Sequence, residues 1–354
     1  MTPKRRIIPI FIPHSGCKHD CVFCNQRAIS GVEKPIAADG ILHIVENGIL
    51  KNETAGEMPQ HLEIAFYGGS FTAIPLENQT ALLEAAQSFI SGNPYISVRV
   101  STRPDHIDGP IVERLMRHGV KTIELGAQSM CDDVLLASGR GHTSSDVENA
   151  AKIIKEYGLS LVLQMMTGLP GDDYEKSLYT TRRISALEPD GVRIYPTVVV
   201  RGTKLHEMWL RGEYIEHTLD DAVDICAEIC EIYEEEGIAV IRIGLNPNEG
   251  LSAEGAAAGA YHPALGELVY SRVFYNKAAA LLKGVAPGSC VTITVPKGRV
   301  SIMAGHRRQN IDRLKTEFSL REIKIVESSD ANHDANLASK SVEITVWQEY
   351  NNFD

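Results

Sequence analysis

The chain has 354 residues, 44% of them hydrophobic and 23% charged, with a net charge of −11. That is more than one small core usually serves, so one large barrel, or a barrel with an appended domain, is expected. The acidic balance argues against a surface coated for nucleic acid. No run approaches the roughly 18 apolar residues of a membrane span, which excludes a membrane partner of that kind.

Strand-length apolar runs alternate with amphipathic helical stretches from the start of the chain. "IIPIFI", "LEIAFYGG", "ISVRVST", "TIELGAQS", "LVLQMMTG", "GVRIYPTVVV" and "AVIRIGL" read as strands. Between them "LENQTALLEAAQSFI", "GPIVERLMRHG", "SSDVENAAKIIKEYG", "YEKSLYTTRRISALEPD" and "LDDAVDICAEICEIYEEEG" read as helices. Repeated strand and helix units imply parallel strands with right-handed crossovers, hence an α/β fold with a full or partial (β/α) barrel over 1–245. Glycine and small residues in 246–263 end the repeat and mark a boundary. Beyond it, 264–354 reads as a small C-terminal α/β domain. Charge is uneven: the first 31 residues are basic, and 297–324 carry eight Lys or Arg against Asp312, Glu317 and Glu322. The acidic run from Glu213 to Glu236 reads as a solvated helix face, and Cys226 and Cys230, four apart on it, as a shared buried face.

Seven cysteines, three of them crowded into eight positions, do not form a secreted disulfide framework. The opening "MTPKRRIIPIFIPHSG" lacks a signal peptide's long apolar region, so a cytoplasmic location with reduced thiols is expected. The crowded three, Cys17, Cys21 and Cys24 in "CKHDCVFC", are spaced C-x3-C-x2-C. Three thiolates can hold three irons of a 4Fe-4S cube and leave one open. Zinc held by the same cysteines with His14 or His19 is the alternative on spacing alone.

With Phe23 before the last cysteine, the loop resembles the cluster motif of the radical S-adenosylmethionine (SAM) superfamily. "YGGSFT" resembles that superfamily's glycine motif, in Gly68, Gly69 and Ser70. The resemblance implies a 4Fe-4S cluster on Cys17, Cys21 and Cys24, with SAM chelating the open iron. It also implies cofactor contacts at Phe23, Gly68, Gly69, Ser70, Ser101, Gln128, Arg140 and Gln164. Reductive cleavage of SAM to a 5′-deoxyadenosyl radical, which abstracts hydrogen from a substrate, would follow, with an electron donor such as flavodoxin or ferredoxin.

From about residue 5 to 245 the sequence looks most like the radical domain of the elongator catalytic subunit, which modifies transfer RNA. "STRPDHI", "GVKTIELGAQSMCDDVL", "RGHT" and "RIYPTVVVRGTKLHEMWLRGEY" carry that likeness. Nothing after 246 resembles its acetyltransferase domain, so acetyl-CoA dependence is not expected. RNA stays open as substrate because "KGRVSIMAGHRRQNIDRLK" concentrates positive charge. Two other readings stand beside it: a tetrapyrrole oxidase related to oxygen-independent coproporphyrinogen oxidase, and a non-catalytic metal-containing RNA- or protein-binding module. Tyr195 and Arg201, after the sixth strand, are expected at the barrel mouth as substrate contacts.

Overall fold

A computed structural model describes residues 5–12, 21–25, 38–54, 61–245, 255–328 and 342–347. Cys17, His14 and His19 lie outside the described residues, as do positions 246–254 of the expected boundary segment.

The predicted strands become β1 (Arg5–Phe11), β2 (His61–Tyr67), β3 (Ile96–Thr102), β4 (Val120–Gln128), β5 (Ser160–Thr167) and β6 (Gly191–Pro196). A short β7 (Val198–Val200) leaves the sheet before β8 (Ala239–Ile243) completes it. The order β1-β2-β3-β4-β5-β6-β8 is that of a parallel sheet curled into a half-barrel. Four predicted helices, Leu76–Ile90, Gly109–Arg117, Ser144–Glu156 and Tyr174–Ser185, pack on the strands beside them. Three of them start on side-chain caps supplied by Asp108, Thr143 and Asp173, which satisfy first-turn N–H groups.

Strand side chains alternate between faces, and here both faces are buried. Ile64 and Phe66, Val98 and Val100, and Ile123 and Leu125 form an apolar set on β2 to β4. The alternate positions, Glu63 and Tyr67, Arg99 and Ser101, and Thr122, Glu124 and Gly126, form the inner wall.

Two local features depart from the sequence reading. "VVV" does not extend the sixth strand; as β7 it pairs antiparallel with β9 (Ala256–Gly259), which lies inside the segment read as a boundary. Contacts also group Val223–Ala239 with the chain from Ala264 on, apart from the barrel unit. Ion pairs help explain this grouping: Arg272 pairs with Asp224, and Lys277 Nζ lies 2.8 Å from Glu234 Oε2. The acidic helix (Leu219–Glu235) is therefore not simply a solvated face. Cys226, Ile229, Cys230 and Tyr233 are buried along it, and burial pushes the Cys230 thiol well above its ordinary pKa.

In that C-terminal unit the helix Leu265–Leu282 is followed by β10 (Cys290–Val295), two short helices (Val300–Ala304 and Gln309–Glu317), β11 (Glu322–Glu327) and β12 (Glu343–Trp347). The sheet order is β11-β10-β12, with β11 parallel and β12 antiparallel to β10. Its core includes Phe274, Ala278, Val291, Ile293, Met303 and Leu314. Cys290 is buried there, its Sγ accepting a hydrogen bond from Arg321 Nε at 3.1 Å.

Candidate functional site

Beyond the C-terminal ends of the strands lies a cavity of about 440 Å³, within the size range of small-molecule sites. Cys21 and Cys24 line it, on a turn closed by Cys24 N donating to Cys21 O at 3.0 Å. Val22 ties that turn down from both sides, donating to Ser138 O at 3.1 Å and accepting from Leu205 N at 2.7 Å. Phe23 lines the cavity too and packs against the cluster of Val199, Leu205 and Tyr214. Gly68 and Gly69 line the same cavity. Gly68 has φ +87°, and a Cβ there would sit 2.4 Å from Ile12 O, so only glycine lets β1 and β2 close at this point.

The strand-end polar groups converge on the same space. Pairing of β4 with β5 slips between Gly126 and Gln128, and Gln128 takes φ 66°, uncommon for a non-glycine residue. The slip turns the Gln128 amide toward Gln164, whose Nε2 donates to Gln128 Oε1 at 3.3 Å. Arg140 reaches into this corner. Its Nη2 donates to Gly126 O at 2.7 Å and its Nη1 to Cys21 Sγ at 3.3 Å. Arg103 holds the Arg140 backbone, donating from Nη2 to Arg140 O at 2.6 Å while its guanidinium also binds Asp105. Among the described residues, Arg140 Nε and Arg103 Nη1 are buried without a partner. Beside them, burial and then the charges of Arg140 and Arg103 pull His142 down to about 3, so its ring is neutral. His142 Nε2 donates to Ala127 O at 3.2 Å.

Deeper in, the inner wall carries buried charge. Arg99 Nη2 lies 2.5 Å from Glu63 Oε2, and its Nη1 lies 3.4 Å from Glu124 Oε2. Arg193 Nε contacts the same Glu124 oxygen at 3.0 Å. Thr122 Oγ1 donates to Glu63 Oε1 at 2.7 Å. Arg193 also donates to Tyr67 Oη at 2.6 Å and Tyr195 Oη at 3.2 Å. Burial opposes the Arg99 charge, but Glu63 and Glu124 hold it above its ordinary pKa. Burial and then Glu124 raise the Tyr67 phenol, and burial raises Tyr195.

Of the predicted residues, Cys21, Phe23, Cys24, Gly68, Gly69, Ser101, Gln128, Arg140, Gln164 and Tyr195 all line this cavity. Ser70 and Arg201 do not. The Ser70 hydroxyl is buried against Thr102 Oγ1 at 2.8 Å and accepts from Arg103 N at 3.2 Å, so it braces the loop from behind. Arg201 is exposed on the turn after β7, where its N donates to Gly255 O at 3.1 Å. Sequence reasoning missed Tyr67, Arg103, Glu124, Gly126 and Arg193. A signal for Glu124 and Arg193 was present: charged residues in strands whose neighbours on both sides are apolar.

A radical SAM superfamily model matches residues 11–182, and a model of the radical SAM C-terminal domain matches 189–274. The chain belongs to the radical SAM superfamily. Such enzymes use a 4Fe-4S cluster with SAM, and the donor set fits both. Two thiols line a glycine-lined cavity, with buried guanidinium N–H groups that have no partner among the described residues and that an anionic ligand group can satisfy.

The tRNA uridine(34) acetyltransferase of Methanocaldococcus jannaschii is 30% identical over 193 residues, which is 49% of this chain but only 36% of that protein. Human Elongator complex protein 3 is 29% identical over a similar 49% of this chain and 36% of its own length. The chain thus matches about a third of these curated relatives. An uncharacterized protein of M. jannaschii is 30% identical over 62% of this chain and 68% of its own length. The solved structure of Methanocaldococcus infernus Elp3 with an N-terminal deletion shares the fold at a TM-score of 0.60. There the identity is 22%, over 78% of this chain and 64% of that one. No helix among the described residues is long and apolar enough to cross a membrane.

Proposed function

We propose that this radical SAM enzyme abstracts a hydrogen atom from an RNA substrate, a transfer RNA nucleoside. The convergence of Cys21, Cys24, Gly68, Gln128, Arg140 and Gln164 on one cavity carries the chemical half of this reading. The RNA half rests on the likeness to relatives named for tRNA uridine. The likeness takes in only about a third of those proteins, so their acetyl transfer is not carried over to this chain.

When bound, the cluster and SAM would supply radical chemistry for hydrogen-atom abstraction, with the electron coming from a donor such as flavodoxin or ferredoxin. The chain's own residues have separate tasks. Cys17, Cys21 and Cys24 hold three irons. Gly68 and Gly69 offer close-packed backbone to the amino end of SAM, and Arg140 offers its buried N–H groups to the carboxylate. Ser101, Gln128 and Gln164 offer donors and acceptors to the ribose, and Phe23 seals the thiolate side from water. Tyr195, on the inner wall, meets the substrate. Its hydroxyl is already oriented by Arg193.

Anaerobic reconstitution followed by dithionite and SAM tests the chemistry: 5′-deoxyadenosine is expected. Its absence from protein with a full cluster would overturn the catalytic reading. Cells carrying Cys24→Ala test the substrate: one modified nucleoside of bulk transfer RNA should be lost or replaced by its precursor. A profile unchanged at every nucleoside would overturn the RNA assignment.

A further inference from the structure

We propose that the C-terminal unit clamps the backbone of single-stranded RNA on the loop Gly305-His306-Arg307-Arg308. The choice of RNA over DNA rests on the reading of the substrate given above; the clamp itself does not. Strand β10 leads into the helix Val300–Ala304, and the helix Gln309–Glu317 leads into β11, which pairs parallel with β10. The four-residue loop joins the two helices. A strand, two short helices joined by a G-x-x-G loop, and a further strand form the outline in which KH modules clamp four backbone nucleotides. Here the first position is Gly305 and the fourth is an arginine in the backbone conformation glycine prefers: Arg308 has φ 66° and ψ 19°.

Two consecutive non-glycine residues hold positive φ, Arg307 at 49° and Arg308 at 66°. Each such residue costs on the order of 1 kcal/mol or more and persists only where its surroundings impose it. Asn310 imposes it. Its buried amide Nδ2 donates toward Ser271 O, Ser271 Oγ and Met303 O at 3.0, 2.9 and 3.1 Å, fastening the loop's end to two other helices. His306, Arg307 and Arg308 are exposed, and among the described residues no carboxylate pairs with either guanidinium. Two cations are thus held on an anchored loop without internal neutralisation, which is the electrostatic footprint of a phosphate-binding surface. With a net charge of −11 over the whole chain, such binding is confined to a patch of this kind. The loop has no aromatic residue, and a backbone clamp needs none.

The test uses the full chain and a fluorescein-labelled, unstructured RNA of about 12 nucleotides, three clamp lengths. Arg307→Gly/Arg308→Gly removes both guanidiniums while glycine takes positive φ without strain, so thermal stability should hold or rise. Affinity at about 0.1 M salt should fall roughly 25-fold, and the slope of log K against log salt should shrink by about 1.4, for two lost phosphate contacts. Arg307→Lys/Arg308→Lys should stay within about threefold of wild type, since point charges also bind phosphate. Equal binding by the glycine variant, or no binding by wild type at low salt, would overturn the clamp. Equal competition by DNA of the same sequence would overturn the choice of RNA. Formation of 5′-deoxyadenosine without RNA should be unchanged in the glycine variant. Its failure in wild type would sink the radical reading while leaving RNA binding intact.

Discussion

Gly126→Ala isolates the cofactor corner from the fold. A Cβ built at Gly126 lies 2.9 Å from Gln128 Nε2 and 3.3 Å from Arg140 Nη2. Contacts that close force something to move, and the atoms met are the free ends of two side chains rather than backbone. Gly126 is not among the residues with positive φ, so alanine fits its conformation and should alter stability by no more than about 1 kcal/mol. The displaced guanidinium, however, loses its bond to Gly126 O and its aim at Cys21. A guanidinium moved off its aim forfeits one charge-assisted hydrogen bond to the SAM carboxylate, worth about 1.5–3 kcal/mol, whereas water in the open cavity can replace its bond to Gly126 O. SAM affinity should therefore weaken about 10- to 150-fold at nearly constant Tm. Equilibrium dialysis of SAM against the reconstituted protein, with thermal melts alongside, measures both. An unchanged Kd would show that this corner does not hold SAM. A large drop in Tm would show that backbone, not side-chain ends, gave way.

His142→Gln tests the buried ring beside Arg140. The folded pKa of about 3 lies below the unfolded value of 6.5, so its contribution to stability is complete above pH 6.5 and is lost as pH falls toward 3. Wild type should lose about 2 kcal/mol more than the variant between pH 6.5 and 5, and parallel pH–stability curves would refute the burial argument. Arg99→Leu strands Glu63 in the interior without its ion pair, while Glu124 keeps Arg193, and should cost about 3–5 kcal/mol in chemical denaturation. Lys155→Ala, which breaks an exposed pair with Glu188, should leave the denaturation midpoint nearly unchanged; equal effects would mean the inner network is not buried in solution. Ser70→Ala should lower stability by about 1–2 kcal/mol yet leave SAM affinity within about threefold, because its hydroxyl faces Thr102. A tenfold weaker Kd would return Ser70 to the cofactor.

The sequence was most readable where chemistry and position coincide. Gly68 follows β2 and Gln128 ends β4, while Cys24 and Arg140 lie on the connections after β1 and β4, where a crossover fold gathers its loops, and each is a residue type with a reason to be there. Glu63, Arg99, Glu124 and Arg193 were harder to see. A charged residue in a strand ordinarily signals a solvent face, and only its neutralising partner on a neighbouring strand, far away in sequence, makes it an interior one. Gly126 matters through the shape of a register slip that no spacing announces. The assignment of Val223–Ala239 was equally hidden. The run of acids was visible, but the bonds from Arg272 and Lys277 that draw two of them to a second helix are long-range. Positive φ at Arg307 and Arg308 runs against residue preference, so only the structure shows it.

The inner wall also constrains what kind of reaction the cavity suits. The Tyr67 and Tyr195 phenols are raised above their ordinary value of 10.0 and so keep their protons at neutral pH. Glu124 is engaged by both Arg99 and Arg193, and His142 is neutral with Nε2 committed to Ala127 O. Among the described residues, neither the two phenols nor the His142 ring is poised to take or give a proton near pH 7. A wall of this kind suits chemistry in which the protein positions its reactants and a hydrogen atom, not a proton, is moved. Tyr195→Phe tests this, since it removes one hydroxyl and keeps the ring. If Tyr195 only orients substrate, kcat/KM should fall by no more than about tenfold, the worth of one neutral hydrogen bond, and the pH profile should keep its shape. A loss of about 10²- to 10⁴-fold with a limb missing from that profile is the mark of general acid–base catalysis, and would mean that the wall moves protons after all.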